Sequence, residues 1–399
     1  MKPTILGSLN LDKIADKLRK VDRFILDVMG IRLADGGLSD AVAEAKRKES
    51  KEGVYNKRRH ETENQRIELM KKWARENRID PNFAASLMYQ MIAESCLVQD
   101  RLMVEKFLEK VENIDEKNAT VVENFLRGEL LSLTAAVADS YDEEYAQEFF
   151  ASKLYFNFEI QVLSRLISTI KDRSLAIDLG CATGIISFLL SPSFKKVTGY
   201  DISPDMLNEA RDKITKETSH VEFVKIDLEE GLDIPENSVS LAVMNMGTAS
   251  DIRNIEKVID CLKRCLSPGG KFLLSFYNSE SLLTKMGFIP WPTPLAARID
   301  LDRNCLEVHY KKDIFLIYAR PRNMSEVNQL LSGLKIENRF TFPTCAAIMP
   351  RIVLETEEKD GSISRNKNAR RLIKKIDTLL ATSELYSGTY IIVTGGKIS

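Results

Sequence analysis

Residues 175–201 read LAIDLGCATGIISFLLSPSFKKVTGYD. The apolar run 175–177 ends on Asp178, and a run this short, closed by an acid and a glycine, predicts a strand. A turn bearing Gly180 and Gly184 leads into a run with helical character, 185–190, and a second strand, 197–200, delivers Asp201. Strand, glycine turn, helix, strand, acid is half of a nucleotide-type crevice. The glycines let backbone approach a ligand where a side chain would collide, and the helix N-terminus offers free N–H groups. An acid closing the second strand is placed to accept from both hydroxyls of a ribose.

The loop is not the dinucleotide form, G-x-G-x-x-G, but Asp178-x-Gly180-x-Ala182-x-Gly184. Downstream, 220–228 reads as a third strand, 240–244 as a fourth followed by Asn245, and 252–266 as a helix. Ser267-Pro268-Gly269-Gly270 stops that helix, and 271–277 reads as the fifth strand. Asp178, Asp201 and Asp227 thus lie at the ends of three successive strands, the edge where open α/β sheets bind ligands. Ser203 or Pro204 is expected to open a helix to about residue 214.

The acid-led loop, the three acids and the S-P-G-G stop resemble the class I S-adenosylmethionine (SAM) methyltransferases. The resemblance implies an α/β Rossmann-like, seven-stranded methyltransferase domain over 161–399, with SAM as cofactor. It implies a cofactor site of Asp178, Gly180, Ala182, Gly184, Asp201, Ile202, Met206, Asp227, Leu228 and Asn245. In the family's pattern Ile202 and Met206 lie against adenine, Asp227 accepts from its amino group, and the Leu228 N–H meets a ring nitrogen. Ala182 replaces the family's middle glycine, which backbone tolerates if φ stays negative. Ser240 stands where an aspartate is usual.

Beyond Tyr277, the alternating runs 305–310 and 314–319 read as a β-hairpin, followed by a helix over 325–334. The insert 278–335 looks like a cap over a substrate. A sixth strand is expected at 335–340, polar helix over 355–385 with a turn at 359–362, and the seventh strand, antiparallel in this family, at 388–394. Methyl transfer requires alignment in a dry cleft, and a base only where the acceptor starts protonated. His309 and Tyr277 are the candidate catalytic residues. Arg298, Arg320 and Arg322 are placed to grip an acidic acceptor.

The N-terminal region is helical by periodicity. Ile67, Leu69, Met70 and Trp73 form one expected apolar stripe, and Phe83, Leu87, Met88, Met91, Ile92 and Leu97 another. Residues 11–102 resemble the all-helical chorismate mutases, whose protomers intertwine as dimers. Arg32, Lys46, Asn56, Arg59, Ser95 and Gln99 fit that family's pocket, while Ala15 and His60 stand where it carries an arginine and a glutamate. The implied organisation is a mutase-like domain at 1–108, a helical connector at 109–160 in which Tyr141 and Tyr145 are placed to line the cleft, and the methyltransferase domain at 161–399.

The chain has 399 residues, 29% charged and 44% hydrophobic, with a net charge of −1. That balance excludes disordered and fibrous classes and gives no field for nucleic acid or an anionic membrane. Six scattered cysteines complete no zinc set, so no metal is expected. Neither an apolar leader nor a membrane-length run is present, and a cytoplasmic protein is expected. The reading is a small-molecule SAM methyltransferase acting on an acidic or aromatic acceptor, with a helical domain that forms a homodimer or helps recognise substrate. Two alternatives stand beside it: a bifunctional mutase/methyltransferase, and a non-catalytic SAM-binding interaction protein.

Overall fold

The computed structural model describes residues 19–24, 27, 31–32, 37–39, 41–42, 60–88, 91–92, 95, 98, 116–143, 150–286, 295–301, 304–310, 313–348, 355–357, 363–383 and 385–398. In chain order come α1 (His60–Glu76), α2 (Glu116–Val137), α3 (Phe150–Thr169), β1 (Leu175–Leu179), α4 (Ile185–Leu190) and β2 (Lys196–Asp201). There follow α5 (Pro204–Asp212), β3 (Val221–Lys225), β4 (Val239–Met244), α6 (Ile255–Cys265) and β5 (Leu266–Tyr277). The insert supplies β6 (Leu295–Asp300), β7 (Cys305–Tyr310), β8 (Asp313–Tyr318) and α7 (Met324–Leu330). The chain continues through β9 (Leu334–Phe342), β10 (Glu355–Glu357), β11 (Ile363–Arg365), α8 (Lys367–Leu380) and β12 (Tyr390–Lys397).

Seven strands make one sheet in the order β3-β2-β1-β4-β5-β12-β9. The first five run parallel, and β12 inserts antiparallel between β5 and β9. Order reverses between β1 and β4, which makes the crevice at their carboxyl ends the place for a ligand. The sheet is covered on both faces, so its strands read as continuous apolar runs. Alternation divides each strand between the two layers. Ala176, Leu241, Val243 and Ile392 pack with α3, α4, α5 and α8, whereas Ile177, Leu179, Ala242, Met244, Ile391 and Val393 pack with α6 and α7. A third cluster joins Leu133 and Val137 of α2 to Met206, Tyr277, and Leu306, Val308, Phe315 and Ile317 of the insert.

The insert is a three-stranded sheet, β6-β7-β8, one strand more than the expected hairpin. Helix was expected over 355–385 with a turn at 359–362, but 355–357 and 363–365 pair antiparallel as β10 and β11, with Thr356 opposite Ser364 and Glu357 opposite Ile363. Branched side chains at Thr356 and Ile363 favour the extended form there.

Contacts divide the chain into two compact units, Met1–Ala119 with Trp291–Pro294 and Lys311–Ile314, and the remainder. In the first, Ile67, Ala85 and Ile92 form a small core. The expected apolar stripes are only partly buried: Leu69 and Trp73 are 65% and 51% exposed, and Phe83 and Leu87 lie at the surface. The described turn of α1 points Ile67 and Ala74 inward and leaves Leu69 and Trp73, four residues apart, on another face. Among the described residues, no helix is long and apolar enough to cross a membrane.

Candidate cofactor and active site

The glycine loop folds onto the end of β2, where Gly180 and Cys181 N–H groups both donate to Tyr200 O, at 2.8 and 3.0 Å. Gly180 (φ +75°) and Gly184 (φ +81°) take left-handed backbone, and a Cβ on Gly180 would sit 2.4 Å from Thr248 Cγ2. Only glycine fits that close approach. Ala182 also turns left-handed, at φ +45°, which corrects the negative φ expected of it. This conformation costs an alanine about 1–2 kcal/mol. Its return is a charge-assisted bond: Ala182 N–H donates to Asp201 Oδ2 at 2.8 Å.

Asp201, at the end of β2, is nearly buried and accepts a second backbone N–H, from Ser203, at 2.8 Å on Oδ1. Burial raises its carboxyl above the ordinary carboxylate value, against the pull of those N–H donors. Ser203 is the N-cap of α5, its Oγ accepting from Met206 N–H at 3.3 Å with Pro204 opening the helix. That cap sets Met206 beside the loop. Asp227, just beyond β3, accepts from Glu229 N–H at 2.9 Å and pairs with Arg127 Nη2 of α2 at 2.6 Å.

These residues converge on a cavity of about 210 Å³ at the carboxyl edge of the sheet. Gly180, Ala182, Asp201, Ile202, Met206, Asp227 and Leu228 line it, seven of the ten residues expected to hold the cofactor. Gly184 lies outside it and serves the turn. Asn245 faces a smaller neighbouring recess of about 40 Å³, which Gly180, Ala182 and Tyr141 share. Asp178 lies beneath, wholly buried, with Ser187 Oγ donating to Oδ2 at 2.7 Å and Oδ1 without a hydrogen-bond partner among the described residues. Burial pushes its carboxyl up to about 7. Nearby Glu159 of α3 is likewise pushed to about 7 by burial, although Tyr155 Oη donates to it at 2.9 Å.

The remaining wall went unread in the sequence. It is made by Leu126 and Arg127 of α2, by Thr248, Asp251 and Arg253 after β4, and by Tyr318 at the end of β8. Tyr141, expected in the cleft cover, lines it too, and its neighbour Asp142 accepts from Thr183 Oγ1 and Lys213 Nζ, tying that turn to the glycine loop. Tyr277 ends β5 behind this wall, largely buried, with its hydroxyl 3.5 Å from Asp251 Oδ2. His309 is a residue of β7 whose side chain lies outside the described residues, as does that of Arg298. Arg322 is buried against the end of β5, where its N–H donates to Tyr277 O at 2.9 Å. Of the mutase-like residues, Arg32 Nε donates to Ser95 Oγ at 2.8 Å; Lys46, Asn56, Arg59 and Gln99 lie outside the described residues. Among the described residues, no group of three or more His, Cys, Asp or Glu is arranged to hold a metal.

The site fits an adenosyl ligand on its own geometry. A cradle that a Cβ at Gly180 would fill, an acid at the second strand's end and an acid past the third all open on one cavity.

A family model described as a methyltransferase domain matches residues 176–270. An uncharacterized protein of Methanocaldococcus jannaschii is 28% identical over 151 residues, 38% of this chain and 65% of that protein. A Dictyostelium discoideum protein named as a methyltransferase is 30% identical over 132 residues, 32% of this chain and 47% of that one. The chain therefore spans less than two thirds of the length of these relatives. A SAM-dependent methyltransferase from Clostridium acetobutylicum ATCC 824 superposes with a TM-score of 0.44 at 16% identity, covering 66% of this chain and 98% of that one. The segment 176–270 that matches the methyltransferase-domain model carries the glycine loop and runs from β1 into β5, the parallel part of the sheet.

Proposed function

We propose that the chain is a SAM-dependent methyltransferase that methylates a small acidic or aromatic molecule by in-line transfer. One observation carries the reading: Gly180, Asp201 and Asp227 open together on one cavity at the switch in strand order. When bound there, SAM supplies an activated methyl group. The residues of this chain hold and orient it: Asp201 for the ribose hydroxyls, Asp227 and the Leu228 N–H for the adenine edge, Ile202 and Met206 for its faces. The roof formed by α2 and the insert excludes water, which favours displacement at the methyl carbon. Arg253 and Tyr318, which line the same cavity, suit an acceptor with a negative charge or a ring.

The N-terminal helical unit serves as a dimerisation or substrate-recognition domain in this reading, and Leu69, Trp73, Phe83 and Leu87 at its surface are in keeping with a second copy packing there. A bifunctional enzyme is the second reading, favoured by the Arg32–Ser95 hydrogen bond, which joins two residues of the mutase-like set. Prephenate formation by the full chain tests it.

The test of the main reading is incubation of the full chain with methyl-labelled SAM and a small-molecule cell extract. Label is expected in a low-molecular-mass product. A chain that binds S-adenosylhomocysteine (SAH) yet moves no label would be a SAM-binding interaction protein instead.

A further inference from the structure

We propose that Asp251 is the catalytic residue that receives the acceptor's proton, and that the acceptor is therefore a hydroxyl compound, an alcohol, phenol or enol, seated with its O–H against Asp251. This rests on the SAM-binding reading above, which assigns the glycine-loop wall of the cavity to the cofactor and leaves the Asp251 wall to the acceptor.

The backbone around Asp251 is fixed in detail. Ser250 and Asp251 N–H groups donate to Gly247 O and Thr248 O, at 2.8 and 3.0 Å. Arg320 N–H donates to Ser250 O at 2.8 Å, and Ser250 Oγ accepts from Tyr277 N–H at 2.9 Å. This turn is thereby locked over the end of β5 and onto the strand that leaves the insert. The carboxyl group it presents is not satisfied in the same way. Among the described residues, Asp251 Oδ1 is enclosed without a hydrogen-bond partner, and Oδ2 has only the long contact to the Tyr277 hydroxyl. The residue itself keeps surface on the cavity, where Thr248, Ile252, Arg253 and Tyr318 adjoin it.

An enclosed acceptor left without a donor costs about 1–3 kcal/mol. Such a cost is characteristic of functional sites, and a ligand hydroxyl would remove it. Burial also holds the Asp251 carboxyl well above the usual carboxylate range, with only the Tyr277 hydroxyl opposing, so the group suits proton transfer far closer to neutrality than an exposed aspartate does. The sulfonium of SAM, bound in the same cavity, would favour the ionised form that the reaction needs.

A hydroxyl acceptor must lose its proton as it reacts, and Asp251 Oδ1 on this cavity has neither a hydrogen bond nor an ion pair among the described residues. In the step, the acceptor oxygen forms a bond to the methyl carbon while the carbon–sulfur bond breaks, its electron pair staying on sulfur. The O–H proton passes to the Asp251 carboxylate, which returns it to solvent after the ether leaves.

The experiment is titration calorimetry of the full chain with SAH and with sinefungin, the analogue that carries an amine-bearing carbon in place of the sulfur. Its ammonium stands where the transferred methyl group would be and meets whatever faces that point. Wild-type protein is expected to favour sinefungin over SAH, and Asp251→Asn to lose tenfold or more of that preference. An unchanged ratio, or equal losses for both ligands, overturns the proposal. Should Asp251→Asn fail to fold, infrared difference spectra of the wild-type complexes decide. Sinefungin should remove a protonated-carboxyl band that the SAH complex retains, and no change in that band overturns the assignment. Absence of SAH binding by folded wild-type protein would overturn the SAM reading itself.

Discussion

On the glycine-loop side of the cavity, Asp201 takes backbone N–H groups from Ala182 and Ser203, both at 2.8 Å. On the same cavity, Asp251 has one oxygen with no partner among the described residues and the other 3.5 Å from a phenol. Asp201 closes β2, Asp251 lies in the turns that follow β4, and both line one cavity. The difference separates two jobs. A carboxylate fixed by main-chain donors is a rigid wall, ready for hydroxyls that approach its remaining lone pairs. A carboxylate left short of donors is paid for by the fold and reserved for a group that comes and goes.

The largest effect should follow from breaking the fixed side. Gly180→Val puts a branched side chain where even a Cβ meets Thr248 Cγ2 at 2.4 Å, on backbone of φ +75°. SAH affinity by calorimetry should fall about 100-fold or more, roughly 3 kcal/mol. A variant that still binds within tenfold of wild type would show that the loop does not cradle the ligand.

Glu159 offers a third way of holding an acid, in the core and away from the cavity. Its carboxyl is raised by burial from 4.5 to about 7, so the folded chain binds this proton more tightly than the unfolded chain. The sign follows from linkage: the contribution to stability is full below pH 4.5 and is lost as pH rises through about 7. Asp178, also raised to about 7, acts in the same direction. Glu159→Gln keeps an oxygen for Tyr155 and Met246 and removes the titration. Denaturant unfolding should find it more stable than wild type at pH 8, by at most roughly 3 kcal/mol, and indistinguishable at pH 4. Parallel stability curves for the two proteins would contradict the account.

Arg127 sharpens the comparison from the cofactor side, since its ion pair with Asp227 occupies the acid that the adenine amino group would use. Arg127→Ala should raise the SAH association rate several-fold in stopped-flow experiments. A slower rate would make Arg127 a ligand contact instead of a competitor. The smallest effect is expected at Ala182, where φ is +45°. Ala182→Gly should relieve that strain and stabilise the chain by about 0.5 kcal/mol, the gain being reduced by the extra freedom of glycine in the unfolded state. Thermal unfolding checks it, and destabilisation would show that the strain is absent.

What could be read in advance was what is local in the chain. Leu175 to Asp201 holds strand, glycine turn, helix and acid within one continuous stretch, so period and punctuation were enough. The Ser203 cap was legible for the same reason, while the antiparallel direction of the seventh strand came from the resemblance to the class I methyltransferases. Arg127 reaches Asp227 across 100 positions of sequence, and no local pattern announces such a contact. Asp251 reads in sequence as an ordinary acid in a turn ahead of α6; only its enclosure and missing partner set it apart. The sign of φ at Ala182 depends on where Asp201 sits, which is again tertiary. At 355–357 and 363–365 β-branched residue types and strand pairing prevailed over a polar composition that reads as helix. Leu69 and Trp73 follow helical spacing, but spacing does not say which apolar face of a helix its own chain covers.

The central claim is that the cavity walled by Gly180, Asp201 and Asp227 binds the adenosyl cofactor. Titration of the full wild-type chain with SAH, followed by displacement with SAM, tests it most directly. The account predicts a saturating heat with one SAH per chain, and competition by SAM for that same site. A folded chain that gives no saturable heat with SAH, or one whose bound SAH is not displaced by SAM, would contradict it.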